Sequence, residues 1–464
     1  MSESGSSAIK SRSDPRFERE KGRKKAPLCL KRKFVLSVML AQMDLYTVVE
    51  PTLKEVLAVI KPLDEDRDTR LKIIGELSEV VQSMNSLTGA TVKPFGSFLS
   101  DLFILRGDLD ISVDLPHGSY VSSAGKKRKQ DLLRELHEAL RQKGGWSRLR
   151  LIPRAKVPIL KVVSKWQNIS CDISIDNLEG QIKSKFLLWL NGIDGRFRDM
   201  VLLVKEWAKT YGINNPRTRA FNSYSLTLLV IFHLQTCVPA ILPPLKDIYP
   251  ANLVDNLTGV KADAESIQQE CASNIARFIS GRTINQSSLS ELFISFFKKY
   301  SDINLKASEM VICPFTGQWE YITSNTSWST RTYPVFVEDP FEQEENAARR
   351  VVRQEQLIKI SEAFKRNHGL LNSTNLSRST LLATLVGQRR AQFLIKPQVI
   401  HSSYNGGQYL NLYPQVHQDS LFANAAASVQ EHKALNLTNA ASSSGEDALN
   451  LRSAISISEN KDGK

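Results

Sequence analysis

Residues 107–115 alternate strictly: Leu109, Ile111, Val113 and Leu115 are apolar, and Asp108, Asp110, Ser112 and Asp114 between them are polar. A period of two predicts a strand with Asp108 and Asp110 on one face. Ile169 to Ile175 alternates in the same way, and Val157 to Val163 is a third β-like run. These stretches predict the strands of one sheet between Thr91 and Asp176. Around them the period changes to 3.6. Helices are predicted at Pro51–Ile60, at Asp64–Ser83 with its acidic first turn, and from Lys126 to about Gly144, where a Gly-Gly pair stops it. Four more follow at Gln181–Leu190, Arg196–Tyr211, Ser223–Cys237 and Ser287–Tyr300, with Pro239, Pro243 and Pro244 breaking the segment between the last two. After His368 Ser, Asn, Ala and Gln dominate, which predicts a low-complexity tail with short partner-binding stretches near Leu410–Tyr413.

The first of these stretches carries chemistry as well as pattern. Asp108 and Asp110 stand about 6–7 Å apart along a strand that rises roughly 3.3 Å per residue. Oxygen donors so placed suit a hard cation such as Mg²⁺. Upstream lies Phe95-Gly96-Ser97. Gly-Ser at a turn into a helix lets backbone N–H groups approach a phosphate closely. Together the parts describe a site for Mg²⁺ and a triphosphate, whereas a plain edge strand would explain the two aspartates alone. A third carboxylate is expected from Asp114, Asp172 or Asp176. Asp114 lies about 13 Å beyond Asp110 on the strand, too far to share a metal pair about 3.5–4 Å apart. Asp176 ends its strand and reads as a cap or turn residue. Asp172 lies within an alternating strand that can pair beside Asp110, so Asp108, Asp110 and Asp172 form the expected set.

Composition adds the partner. The chain has 464 residues, 42% of them hydrophobic, enough for two or three domains with a substantial core. No run of 18 apolar residues predicts a membrane span, and the polar start lacks the apolar core of a secretory signal. Five cysteines, at 29, 171, 237, 271 and 313, are too scattered for a disulfide framework or a zinc knuckle and imply the cytosol or nucleus. Of the net charge of +13, residues 1–33 carry more than half, in clusters such as Lys21-Gly22-Arg23-Lys24-Lys25. That stretch reads as disordered, with the composition of a nuclear localisation signal, an RNA-gripping arm or a solvated tail. A second basic region runs from Lys126 to Lys165. Lys126–Lys129 reads as a solvated helix face, whereas Arg154 and Lys161, near Asp172, suit a groove for an RNA 3′ end. Lys205 and Lys209 stand one turn apart on a helix and repel unless a polyanion lies between them.

Gly96-Ser97…Asp108-Leu109-Asp110…Asp172 resembles the DNA polymerase β-like nucleotidyltransferases. Val201-Leu202-Leu203-Val204-Lys205-Glu206-Trp207-Ala208-Lys209, Asn222-Ser223-Tyr224-Ser225-Leu226 and Val337-Glu338-Asp339-Pro340-Phe341-Glu342 are similar to motifs of its template-independent RNA-tailing branch, the cytoplasmic-type poly(A) polymerases and terminal uridylyltransferases. The likeness covers roughly 44–368 and looks closest to the plant uridylyltransferases that tail small RNAs.

The resemblance implies an α+β fold with a mixed-sheet nucleotidyltransferase domain at 66–179 and a helical central domain at 180–368. A helix within 44–65 packs on the central domain, and 1–43 and 369–464 are disordered tails. It implies two Mg²⁺ or Mn²⁺ ions on Asp108, Asp110 and Asp172. It implies triphosphate contacts from Gly96, Ser97, Lys205, Lys209 and Ser223, base stacking on Tyr224, and nucleotide contacts from Asp339 and Glu342. The implied reaction adds UMP from UTP to the 3′ end of unmethylated small RNAs and RNA fragments, promoting their decay. An Argonaute-type loading protein would deliver the substrate in the cytoplasm or nucleus. Two positions depart from the pattern. Glu345 stands where many uridylyltransferases have a base-reading histidine, and Lys183-Ser184 where many relatives have a ribose-binding asparagine. A poly(A) polymerase is therefore the alternative within the same chemistry. An inactive RNA-binding scaffold is the alternative from another class.

Overall fold

The computed structural model describes residues 47–105, 107–116, 123–250, 261–330, 333–373 and 376–395. The expected tails at 1–43 and beyond 395, with Leu410–Tyr413, lie outside the described residues. In chain order the elements are α1 (47–60), α2 (Asp64–Gln82), β1 (Thr91–Phe95), α3 (Gly96–Leu99), β2 (Leu109–Asp114), α4 (Ser123–Lys143), β3 (Trp146–Ile152), β4 (Ile159–Ser164), β5 (Ser170–Ile175), α5 (Leu178–Ile193), α6 (Arg196–Thr210) and α7 (Ser223–Gln235). There follow α8 (Lys261–Gly281), α9 (Leu289–Tyr300), α10 (Ile303–Lys306), β6 (Met310–Cys313), β7 (Gln318–Tyr321), α11 (Thr326–Ser329), β8 (Glu338–Asp339), β9 (Glu342–Asn346), α12 (Gln354–Leu371), α13 (Arg378–Val386) and α14 (Gln388–Ile395).

The first five strands form one mixed sheet in the order β1-β2-β5-β4-β3. Strands β2 and β5 run parallel and the other neighbours antiparallel. Alternation decides the faces. Leu109, Ile111, Val113, Leu160, Val162, Cys171 and Ile173 are fully buried and pack with Ile73, Leu77 and Val81 of α2 and Leu133, Leu136 and Leu140 of α4. The aspartates of β2 and β5 are left on the opposite face.

A second core joins α1 to the helical region. Val49, Leu53, Val56 and Ile60 bury with Leu190, Leu203, Trp207, Phe232, Phe296 and Phe364. Within it α7 is buried from Ser225 through Gln235, as expected of a helix apolar on every side. Its first residues, Ser223 and Tyr224, lie at the end that opens toward the sheet. Leu102 and Ile104, from the loop between α3 and β2, insert into this second core and tie it to the catalytic sheet. Asp101, in the left-handed region at φ +57°, accepts from Arg67 of α2 at 2.6 Å and from Arg198 of α6 at 3.3 Å.

Two differences from the expected organisation stand out. The helical region does not stop at His368. Leu381, Leu382 and Leu385 of α13 are 0% exposed within the second core, so the expected tail at 369–464 begins with two packed helices. Their apolar spacing is helical, but it is short and set among Ser, Thr and Asn. Helix α8 is an addition to the expected elements, although Ile267, Cys271 and Ile275 repeat at four residues and are buried.

Candidate active site

Local sequence builds the phosphate turn. Strand β1 ends at Phe95, opposite Asp110, and the chain turns into α3 at Gly96 with φ +65°. A Cβ there would stand 2.0 Å from Asp110 Oδ2, so only glycine fits beside that carboxylate. The Gly96 N–H already has a partner. It donates to Ser184 Oγ of α5 at 2.7 Å. Gly96 thus makes room for Asp110 while its own N–H is engaged.

Asp108 lies just before β2, Asp110 within it, and Asp172 in β5. Asp110 and Asp172 are register partners across the parallel pair. On the other side of β5, Asp172 pairs with Lys161 of β4. The Lys161 ammonium donates to Asp172 Oδ1 at 2.7 Å and to Asp108 Oδ2 at 2.9 Å. Lys161 is therefore a partner of the carboxylates. Against the desolvation that would lower its pKa, these bonds raise it. Burial, then the charges of Asp172 and Asp108, push Asp110 up to about 7. The other two candidates lie elsewhere: Asp114 pairs Lys93 at 3.0 Å, and Asp176 accepts from the Leu115 N–H at 2.8 Å.

Among the described residues no three His, Cys, Asp or Glu side chains close on one point at ligand distance. The donor set nevertheless fits a hard divalent cation. Two carboxylates are register partners on adjacent strands, the third lies two residues before one of them, and a cationic group already bridges two of the three. Nucleotidyltransferases of the polymerase β type generally use divalent metals.

A cleft of about 1240 Å³ separates the sheet's polar face from the helical region. Gly96, Ser97, Asp108, Asp110, Asp172, Arg154, Lys205, Lys209, Ser223, Tyr224, Asp339 and Glu342 all line it, and of the expected site residues only Lys161 does not. Lys205 is 7% exposed and donates to the Leu102 carbonyl at 2.9 Å. Burial, then repulsion from Lys209, brings its pKa down to about 8, with Asp110 opposing. The Lys209 ammonium stands 3.9 Å from Glu206. Ser223 Oγ exchanges hydrogen bonds with the Asn214 amide at 3.3 Å, and the Tyr224 hydroxyl donates to Asp339 Oδ1 at 2.9 Å.

Several residues here are not singled out by sequence. Lys183, notable there only as a departure, donates to Asp339 at 3.1 Å and Glu342 at 3.2 Å and pairs with Glu179 at 2.7 Å. Burial alone would lower its pKa, but the three carboxylates raise it well above the usual lysine value. Lys156 pairs with Glu342 from the sheet side. Glu345 does not line the cleft; it stands 3.5 Å from Arg349, which does. Arg70 of α2 is 0% exposed. It lies 4.6 Å over the Phe103 ring and donates to the carbonyls of Leu105 and Gly107 at 3.2 and 3.1 Å, holding the approach to Asp108. A charged residue on a helix with an acidic first turn reads as solvated, and nothing local reveals its burial.

Residues 49–189 match the family model of the central palm domain of the mitochondrial-like poly(A) RNA polymerase. The chain is 56% identical over 367 residues to Protein HESO1 of Arabidopsis thaliana, spanning 78% of this chain and 71% of that protein. Among solved structures, mtPAP in complex with UTP aligns at a TM-score of 0.59 and 21% identity over 74% of this chain and 72% of that one. A cytoplasmic RNA terminal U-transferase aligns at a TM-score of 0.56 and 24% identity over 72% and 97%. These two structures show the shared fold. Among the described residues no helix is long and apolar enough to cross a membrane.

Proposed function

For a chain that belongs to the polymerase β-like RNA nucleotidyltransferases of the poly(A) polymerase and terminal uridylyltransferase family, we propose template-independent addition of UMP from UTP to the 3′ end of small RNAs and RNA fragments. The tail marks unmethylated small RNAs for decay. Delivery of that RNA by an Argonaute-type loading protein, in the cytoplasm or nucleus, is part of the same reading. The observation that carries it is the register pair Asp110–Asp172 with Asp108 beside it, facing two lysines across one cleft.

Asp108, Asp110 and Asp172 would hold two Mg²⁺ or Mn²⁺ ions, which when bound supply Lewis-acid activation of the RNA 3′-hydroxyl and charge neutralisation at the leaving pyrophosphate. The remaining work is positioning. Lys205 and Lys209 present two cationic groups to the triphosphate from one face of α6. Ser97 and Ser223 flank it from the sheet and helical sides. The Tyr224 ring stacks on the base, and its hydroxyl is held by Asp339. Lys183 binds Asp339 and Glu342 together and fixes the acceptors that face the nucleotide. Asp172, part-exposed in the cleft, accepts the proton of the attacking hydroxyl. Arg154 lies on the cleft wall where an RNA phosphate would pass.

A second reading, adenylyl transfer, is favoured by Glu345. It stands in place of a reading histidine and is turned to Arg349. The test is a labelled RNA oligonucleotide incubated with each nucleoside triphosphate separately and then in competition, with Mg²⁺ or Mn²⁺. Preferential use of UTP is expected. Preferential use of ATP transfers the assignment to the second reading, and no extension by a folded chain rejects both.

A further inference from the structure

Helix α6 carries a third charged group between its two cleft lysines. Glu206 is 4% exposed and lies three residues before Lys209, whose ammonium stands 3.9 Å from its Oε2. A buried carboxylate at that spacing competes with any anion in the cleft for the Lys209 ammonium. In the structure its other oxygen, Oε1, is taken by Arg390 of α14. That helix is held in place independently. Leu381, Leu382 and Leu385 of α13 are buried in the second core. The Leu385 carbonyl accepts from Thr210 at the end of α6 at 3.1 Å. Arg378 donates to Glu55 of α1 at 3.0 Å and to the Leu394 carbonyl of α14 at 3.3 Å. Between these helices lies a mostly apolar cavity of about 200 Å³, with Glu206 and Arg390 in its wall and Ile104 shared with the cleft.

The geometry points to Arg390 as a positioning residue for nucleotide binding: by pairing with Glu206 it keeps that carboxylate from drawing Lys209 out of the cleft. The inference rests on Lys209 as a contact of the triphosphate. Arg390 lines the small cavity and not the cleft, so it touches neither substrate. With Arg390 absent, the buried Glu206 loses the partner of its Oε1, and the Lys209 ammonium already 3.9 Å from Oε2 is the cation left to neutralise it. Binding then weakens at the phosphates and not at the base, so every nucleoside triphosphate is affected alike.

The test uses the full chain. Arg390→Gln should raise KM for UTP roughly tenfold, the size of losing one hydrogen bond to a charged group, with kcat and the KM for RNA little changed. ATP should show the same proportional rise. Arg390→Lys should keep the wild-type KM. The double change Glu206→Gln/Arg390→Gln should restore it, because no anion is left to hold Lys209. A merely structural role for Arg390 predicts the opposite for the double variant, which would then be as impaired as Arg390→Gln or more so. An unchanged KM in Arg390→Gln, or no recovery in the double variant, overturns the inference. If Arg390→Gln does not fold, the double variant decides alone: a wild-type KM supports the inference and a raised KM overturns it. Wild-type extension of RNA in the same assay separates this outcome from failure of the uridylyl-transfer reading.

Discussion

The Gly96 Cα lies so close to the Asp110 carboxylate that a single added methyl carbon would stand 2.0 Å from Oδ2. The backbone at that position is also left-handed, at φ +65°. Strand, turn and carboxylate therefore specify one another. Gly96→Ala should leave the two cores intact, since neither includes this residue. It should displace Asp110 by the better part of an ångström, and a 1 Å displacement costs on the order of a hundredfold in rate. Single-turnover extension and a thermal melt on the same preparation check this. Near-normal turnover by Gly96→Ala would show that Asp110 is not held by this contact.

Asp110 also predicts how the metal and pH act together. Its pKa in the fold is about 7, raised above the carboxylate value of 3.8 by burial and then by Asp172 and Asp108. Between those values the folded chain holds a proton that the unfolded chain has released, so its stability falls as pH rises through that window. Without divalent ions the melting temperature should fall from about pH 5 to pH 7, and Asp110→Asn should flatten that slope. Added Mg²⁺ should stabilise the wild type most above pH 7, where the carboxylate is free to bind it. Asp110→Ala should abolish extension while remaining folded. A wild-type melting profile in Asp110→Asn would remove the assignment.

Arg70 shows how a residue outside the cleft can set the geometry inside it. Its guanidinium is fully buried and donates to the carbonyls of Asp66, Leu105 and Gly107. Replacing it with Met strands acceptors at about 1–3 kcal/mol for each group left unpaired. The expected result is a destabilised chain with kcat reduced further than stability alone explains, because the loop ahead of Asp108 loosens. Measuring kcat well below the melting transition separates the two effects.

How much of this is legible in the sequence follows from which interactions are local. Alternation places Asp108 and Asp110 on one face and Asp172 on a neighbouring strand. It does not place Lys161 between Asp108 and Asp172, because that depends on the order β2-β5-β4, which no local pattern encodes. Lys183 reads as a missing asparagine until the fold gathers three carboxylates from separate segments around it. The helical repeats of α8 and α13 are present but outweighed by the polar composition around them. Arg390 has no local signal at all, since its partner lies 184 residues away.

The packing of α13 at the end of the helical region can be tested directly. Leu381, Leu382 and Leu385 are 0% exposed, and each fully buried aliphatic side chain contributes roughly 1.5–3 kcal/mol. Their sum approaches the entire stability of an ordinary domain, about 5–15 kcal/mol. A chain ended after residue 373 should fail to fold or melt at a far lower temperature than one ended after residue 397. Equal stability of the two would return α13 and α14 to the status of a dispensable tail.

Lys205 should show stability and activity moving in opposite directions. Its ammonium is buried, bonded to one carbonyl, and has a pKa near 8 against 10.5 for a solvated lysine, mainly through burial and then through Lys209. Between those values the folded chain holds fewer protons than the unfolded one, so stability rises with pH across that window. At pH 7 the shift corresponds to at most roughly 3 kcal/mol held against folding, at about 1.4 kcal/mol per unit. Lys205→Met removes the buried charge and leaves the Leu102 carbonyl unpaired. The net expectation is a gain of about 1–2 kcal/mol at pH 7, once the unmade hydrogen bond is subtracted. The same change removes a cationic group from the triphosphate, so KM for UTP should rise by tenfold or more, as expected for one charged hydrogen bond. In the wild type KM should climb as pH passes upward through about 8, because the free site loses the charge that the triphosphate requires. In Lys205→Met that climb should be absent. Urea denaturation at pH 7 and a KM profile from pH 7 to 9 test both halves. A variant both less stable and pH-dependent like the wild type would mean that Lys205 is held for structure and not for the nucleotide.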